Sequence, residues 1–215
     1  MELFGINDPD VALTDYAITL LCLWIMWRIR SGPGLGRTRP WLLVFYGGIA
    51  LAAAFGGTVH GFFEFEGTAG YDILWPATLI SMGVAALGGW GLGARLVLKD
   101  GLGSALIGLA SLEFLAYSGA VIGGYQGFEF AVLQYLPATA FLTIAVIVAE
   151  RRTPRRGFRE ALLGMVLTFA AAAVLRLELH VHPVLFDHNA VYHVVQAAAL
   201  IFFYRGMTRA SAKGR

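Results

Sequence analysis

Apolar residues gather into seven runs of roughly bilayer length, at 12–30, 41–63, 72–98, 103–124, 129–149, 160–178 and 186–205, with charged residues concentrated between them. An α-helix rises about 1.5 Å per residue, so about 20 residues cross the hydrocarbon. None of the runs alternates apolar and polar positions with period two. Unpaired backbone groups are untenable in lipid, so helices are predicted rather than barrel strands. The pattern reads as an all-α polytopic membrane protein, a seven-helix transmembrane bundle forming a single domain over residues 1–215. Two runs break their own pattern. The fourth holds Glu113 near its middle, and the seventh opens with Asp187, His188, Asn189, His193 and Gln196 before turning into Ala-Ala-Ala-Leu-Ile-Phe-Phe-Tyr.

Composition agrees with lipid as the solvent. Of 215 residues 58% are hydrophobic and 14% charged, against about 25% charged in soluble domains. The single cysteine, Cys22, excludes an internal disulfide. The first ten residues carry no basic group ahead of the first apolar run, so that run reads as an uncleaved anchor rather than a signal peptide. The placement of the 16 Lys and Arg is more telling than the net charge of +2. The first, third and fifth connections and the C-terminal tail hold all of them except Arg176. By the positive-inside rule this predicts the N-terminus outside and the C-terminus inside. The compact loops favour a bacterial inner (plasma) membrane. Basic residues dispersed over four segments as topology signals argue against nucleic-acid binding. Both lysines, Lys99 and Lys213, lie in inside segments, which leaves no buried amine for a retinal Schiff base. Gly88-Gly89-Trp90-Gly91-Leu92-Gly93 is expected to mark close helix contact, since small residues let backbones approach in lipid.

All five histidines fall on the predicted outer side. His60, late in the second helix, and His193, early in the seventh, reach one layer. Asp72 begins the third helix at that level, and Asp15, Arg176, Glu178 and Gln196 complete a polar ring. Asn189, His193 and Gln196 share one helical face. His188, five residues before His193, points about 140° away on an ideal helix. Imidazoles from two helices plus a carboxylate or water would suit a zinc site with an open position, whose bound water would have a pKa near 7. Glu113 is expected to face the bundle interior with Tyr117 and Gln134 as partners. Glu113, Asn189 and Gln196 are candidate pocket residues, and Gln134 is a candidate partner of Glu113.

Gly56-Gly57-Thr58-Val59-His60-Gly61, Asp72 and Asn189-Ala190-Val191-Tyr192-His193, set in seven helices, resemble the CREST superfamily of alkaline ceramidases, progestin and adiponectin receptors and Per1-like proteins. That pattern has Ser-x-x-x-His in the second helix, an Asp near the third and His-x-x-x-His in the seventh, with three histidines on zinc. Here Gly56 stands in place of the serine and Asn189 in place of a histidine. Either His188 or an outer-loop histidine takes the missing ligand position, or the metal is absent.

The resemblance implies a zinc-dependent membrane hydrolase acting on amide or ester bonds of a lipid-like substrate drawn from membrane lipids. His60, His193 and His188 would be ligands, Asp72 would orient or deprotonate the water, and Thr58 would donate to the oxyanion. Two other readings stay open: a non-catalytic seven-helix receptor, subunit or scaffold, and a b-type haem protein with His60 and His193 as axial ligands.

Overall fold

The computed structural model describes residues 5–182 and 186–211. Lys213 and Arg215, two of the charges used in the topology reading, lie outside the described residues. Those described form seven α-helices: α1 (Pro9–Ser31), α2 (Arg39–Phe62), α3 (Ala69–Val97), α4 (Asp100–Ile122), α5 (Phe128–Arg152), α6 (Arg156–Arg176) and α7 (His188–Ser211). The first six are long and apolar enough to cross a membrane. The helix α7 matches them in length, with 24 residues. Its histidines, Asn189, Gln196 and two arginines hold its hydropathy down.

The helix starts follow local rules. Pro9 and Pro40 occupy the first turns of α1 and α2, where a missing N–H costs nothing. Thr68 caps α3 through the amide of Tyr71. Asp187 precedes α7 and accepts from the amide of Ala190 at 2.9 Å, and it supplies a favourable negative charge at a helix start.

Six helices close a ring in the order α1, α2, α3, α5, α6, α7, with α7 returning to α1; α4 packs outside the ring on α3. Neighbours approach through glycine. A Cβ at Gly48 would meet the backbone of Ala85, and one at Gly88 the backbone of Phe45. The α6–α7 contact works the same way, with Gly157 against Ala210 and Gly206, and Gly164 against Ala199 and Phe203. The Gly88–Gly93 run behaves as its sequence predicts, since Gly91 receives the Trp41 ring and Gly93 the Phe141 ring. Apolar side chains from Ile25, Leu42, Tyr46, Leu142, Leu200 and Met207 fill the ring's interior. A void of about 10 Å³ remains beside Phe45, Tyr135 and Leu142, room for about one water. Hydroxyls inside the bundle bond to the preceding turn, as Thr78 does to Leu74, Ser81 to Ala77 and Thr139 to Tyr135. Such back-bonding satisfies a polar group without another helix.

The bundle has two chemically distinct ends. One gathers the start of α1, the end of α2 and the start of α7: the amides of Asn7 and Asp8 bond the carbonyls of Gly61 and His60, and Asp10 accepts from the amide of Asp187 at 3.1 Å. The other is the basic end, where Arg37 pairs with Asp100, Arg159 with Glu150 and Arg209 with Glu160.

Candidate functional site

The polar cluster forms where α1, α2 and α7 meet, below the end opposite the basic one. On α1, Asp15 and Thr14 reach His193 of α7, and Gly57 of α2 lies against Asp15. A Cβ at Gly57 would lie 2.7 Å from the Asp15 Cβ and 3.3 Å from the Ala12 carbonyl. Gly56 leaves more room: a Cβ there would lie 3.7 Å from Asp15 Oδ2 and 3.5 Å from Thr78 Cγ2. The helices α1 and α2 therefore nearly touch at the level of the carboxylate.

His193 bridges to both α1 groups. Its Nε2 stands 3.3 Å from Asp15 Oδ1, and its Nδ1 is 2.9 Å from the Thr14 hydroxyl. The His193 and Asp15 side chains are 11% and 8% exposed, so water has little access to the contact. Thr14 also lies 2.8 Å from the Asp10 carbonyl and 2.9 Å from that of Val11. One hydroxyl proton cannot serve both sides. If Thr14 donates to its own helix, it accepts from Nδ1–H, and Nε2 either accepts from a protonated Asp15 carboxyl or, in the imidazolium, donates to its carboxylate. If Thr14 donates to Nδ1, Nε2–H donates to an Asp15 carboxylate. The three groups form a hydrogen-bonded relay whose donor and acceptor roles depend on its protonation state.

Other residues expected at the site lie around this relay or apart from it. His60 sits near the end of α2, and its ring has no hydrogen-bond partner among the described residues. Gln196 is buried one turn further along α7. Asn189 donates to Asp187 at 3.0 Å, and His188 Nδ1 stands 4.0 Å from the same carboxylate, so both belong to the mouth of α7. Asp72 is exposed and accepts from the amide of Gly67 at 3.1 Å, which ties it to the turn between α2 and α3. Thr58 gives its proton to the Ala54 carbonyl at 2.7 Å and accepts from the Tyr16 hydroxyl at 2.9 Å. The carboxylate beside the histidine is Asp15, from the first helix.

Glu113 departs from expectation in direction. It is exposed on α4 rather than turned into the bundle, yet it still accepts from Gln134 of α5 at 3.3 Å. Tyr117, the other expected partner, bonds the Leu79 carbonyl at 3.0 Å instead.

The zinc set expected from the resemblance does not fit this arrangement. Both ring nitrogens of His193 are engaged, and among the described residues no three His, Cys, Asp or Glu side chains gather as a metal site. Axial haem ligation by His193 meets the same obstacle, since it needs a free ring nitrogen.

The model of a family of unknown function, DUF6962, matches residues 11–212. The chain belongs to this family. The match runs from α1 to the last residues of α7 and so takes in Thr14, Asp15 and His193. No curated protein and no solved structure matches the chain.

Proposed function

We propose that this chain is a seven-span membrane protein with its N-terminus outside, in which Asp15, His193 and Thr14 hydrolyse an ester or amide bond of a lipid within the outer half of the bilayer. The observation that carries this reading is the relay itself, a buried histidine held by a carboxylate on one nitrogen and a hydroxyl on the other. Buried ionisable groups in membrane helices are costly and mark sites by default.

Asp15 fixes the imidazole with Nδ1 basic. His193 then accepts the Thr14 proton as the Thr14 oxygen attacks the carbonyl, and returns that proton to the leaving alcohol or amine. Water, activated by the same nitrogen, cleaves the resulting acyl-threonine. Seven spans are supported by α7 being as long as its neighbours and packed along α6 and α1. The orientation rests on the basic residues at one end.

The test is release of fatty acid from lipid esters and amides by the protein in nanodiscs. His193→Ala and Asp15→Asn are expected to lose at least 10²-fold in rate, Thr14→Ala to be inactive and Thr14→Ser to keep activity. Chelator is expected to leave the rate unchanged. Turnover that survives His193→Ala would sink the proposal.

A second reading has its own observation. Thr14 already lies within bonding distance of two carbonyls of its own helix, which suits a polar clamp joining α1 to α7 in a receptor or scaffold. The clamp reading expects no lipid turnover by wild type and a drop in thermal stability on His193→Ala.

A further inference from the structure

At the basic end, α6 and α7 open a cleft of about 660 Å³ lined by Arg155, Arg156, Arg159, Arg205 and Arg209, with Glu160, Leu163 and Phe202 among the remaining lining residues. We propose that this cleft binds the phosphate headgroup of an anionic glycerophospholipid, with an acyl chain lying against Leu163 and Phe202. The proposal is independent of the relay and needs only that the bundle's basic end lie at a headgroup layer.

Two stripes make the cleft. On α6, residues 156, 159, 160 and 163 fall on one face, and on α7 so do 202, 205 and 209. The helices are antiparallel, so on both stripes the charged residues lie towards the basic end and the apolar ones deeper. Leu163 is about 10 Å below Arg156 along the axis. A charged rim above an apolar floor matches a phospholipid and not a free phosphate. The close α6–α7 seam, with Gly157 and Gly206 against backbone, leaves no space between the helices for these long side chains, so they line its flank.

Among the described residues, two glutamates pair with the cleft's arginines. Glu160 accepts from Arg209 and stands 3.8 Å from Arg156, while Glu150 takes Arg159 at 3.0 Å. The Arg156 side chain remains 92% exposed, and Arg205 is exposed as well. Other basic groups at this end are engaged outside the cleft: Arg37 pairs with Asp100, Arg39 bonds the Gly32 carbonyl, and Arg152 bonds the Val97 carbonyl. Basic pockets between helices at a headgroup layer are a recurring means of holding anionic lipid.

Full-length protein is reconstituted in phosphatidylcholine nanodiscs doped with phosphatidylglycerol, and lipid retained after detergent extraction is counted by native mass spectrometry. Wild type is expected to retain phosphatidylglycerol over phosphatidylcholine. The double variant Arg156→Gln, Arg205→Gln is expected to retain it about thirty-fold more weakly, at about 1 kcal/mol per arginine. The control Arg30→Gln, Lys99→Gln removes the same charge at the same end and is expected to behave as wild type. Equal loss in variant and control would reduce the effect to general surface charge and overturn the site. Displacement of the lipid by inorganic phosphate would overturn the lipid assignment, as would unchanged retention in the cleft variant.

Discussion

At the residue scale, the two adjacent glycines of α2 carry different burdens. Gly57 sits against the Asp15 side chain and the Ala12 carbonyl, and Gly56 has ordinary van der Waals room. Gly57→Ala is therefore expected to destabilise the protein by about 1–3 kcal/mol, the usual cost of overpacking, while Gly56→Ala changes the melting temperature little. Thermal unfolding in detergent checks both. The variant Gly56→Ser would add a hydroxyl beside Asp15 Oδ2 and is expected to fold. Glu113 gives a second residue-scale prediction. Gln134 is buried with its Oε1 unbonded, so Glu113→Leu removes the one partner its amide has among the described residues. A loss of about 1–3 kcal/mol is expected, and Glu113→Gln should recover most of it.

At the element scale, α4 stands apart. It touches the ring mainly along α3, where Gly83 receives the Phe114 and Tyr117 rings and the Tyr117 hydroxyl bonds Leu79. Leu102, Leu109, Leu112, Leu115 and Ile122 point outward. Tyr117→Phe is expected to raise amide hydrogen exchange in α4 while leaving α6 and α7 unchanged, because few other contacts hold the helix. The helices themselves were legible in the sequence, since a bilayer-length apolar run has few alternatives in lipid. Their contacts were less so. Asp72 was expected beside the histidines because only a short hairpin separates it from His60. The hairpin turns outward instead, and Asp72 caps it. His193 stood out as an ionisable residue in an apolar helix, and Asp15 was visible in the polar ring. Thr14 was not, because a threonine that back-bonds to its own turn leaves no mark on hydropathy. Which carboxylate meets His193 depends on α7 packing against α1, and no local pattern encodes that long-range choice.

At the scale of the whole molecule, charge separates the two ends of the bundle. If all seven helices span with the N-terminus outside, cysteines placed in a Cys22→Ser background should report it. Thr68→Cys is expected to react with an impermeant maleimide added from outside, and Thr153→Cys only after the membrane is opened. Labelling of Thr153→Cys from outside would reverse the orientation. Cys22 is buried, so its removal should not disturb the readout.

The closure of the ring has a consequence for biogenesis. The contact between Thr14 and His193 joins residues 179 apart in sequence, α1 to α7. Helices enter the membrane in order from the ribosome, so Asp15 must wait in the bilayer without His193 until α7 emerges. A chain that stops short of α7 keeps a carboxyl on α1 without its histidine partner. The site thus exists only once α7 has packed against α1.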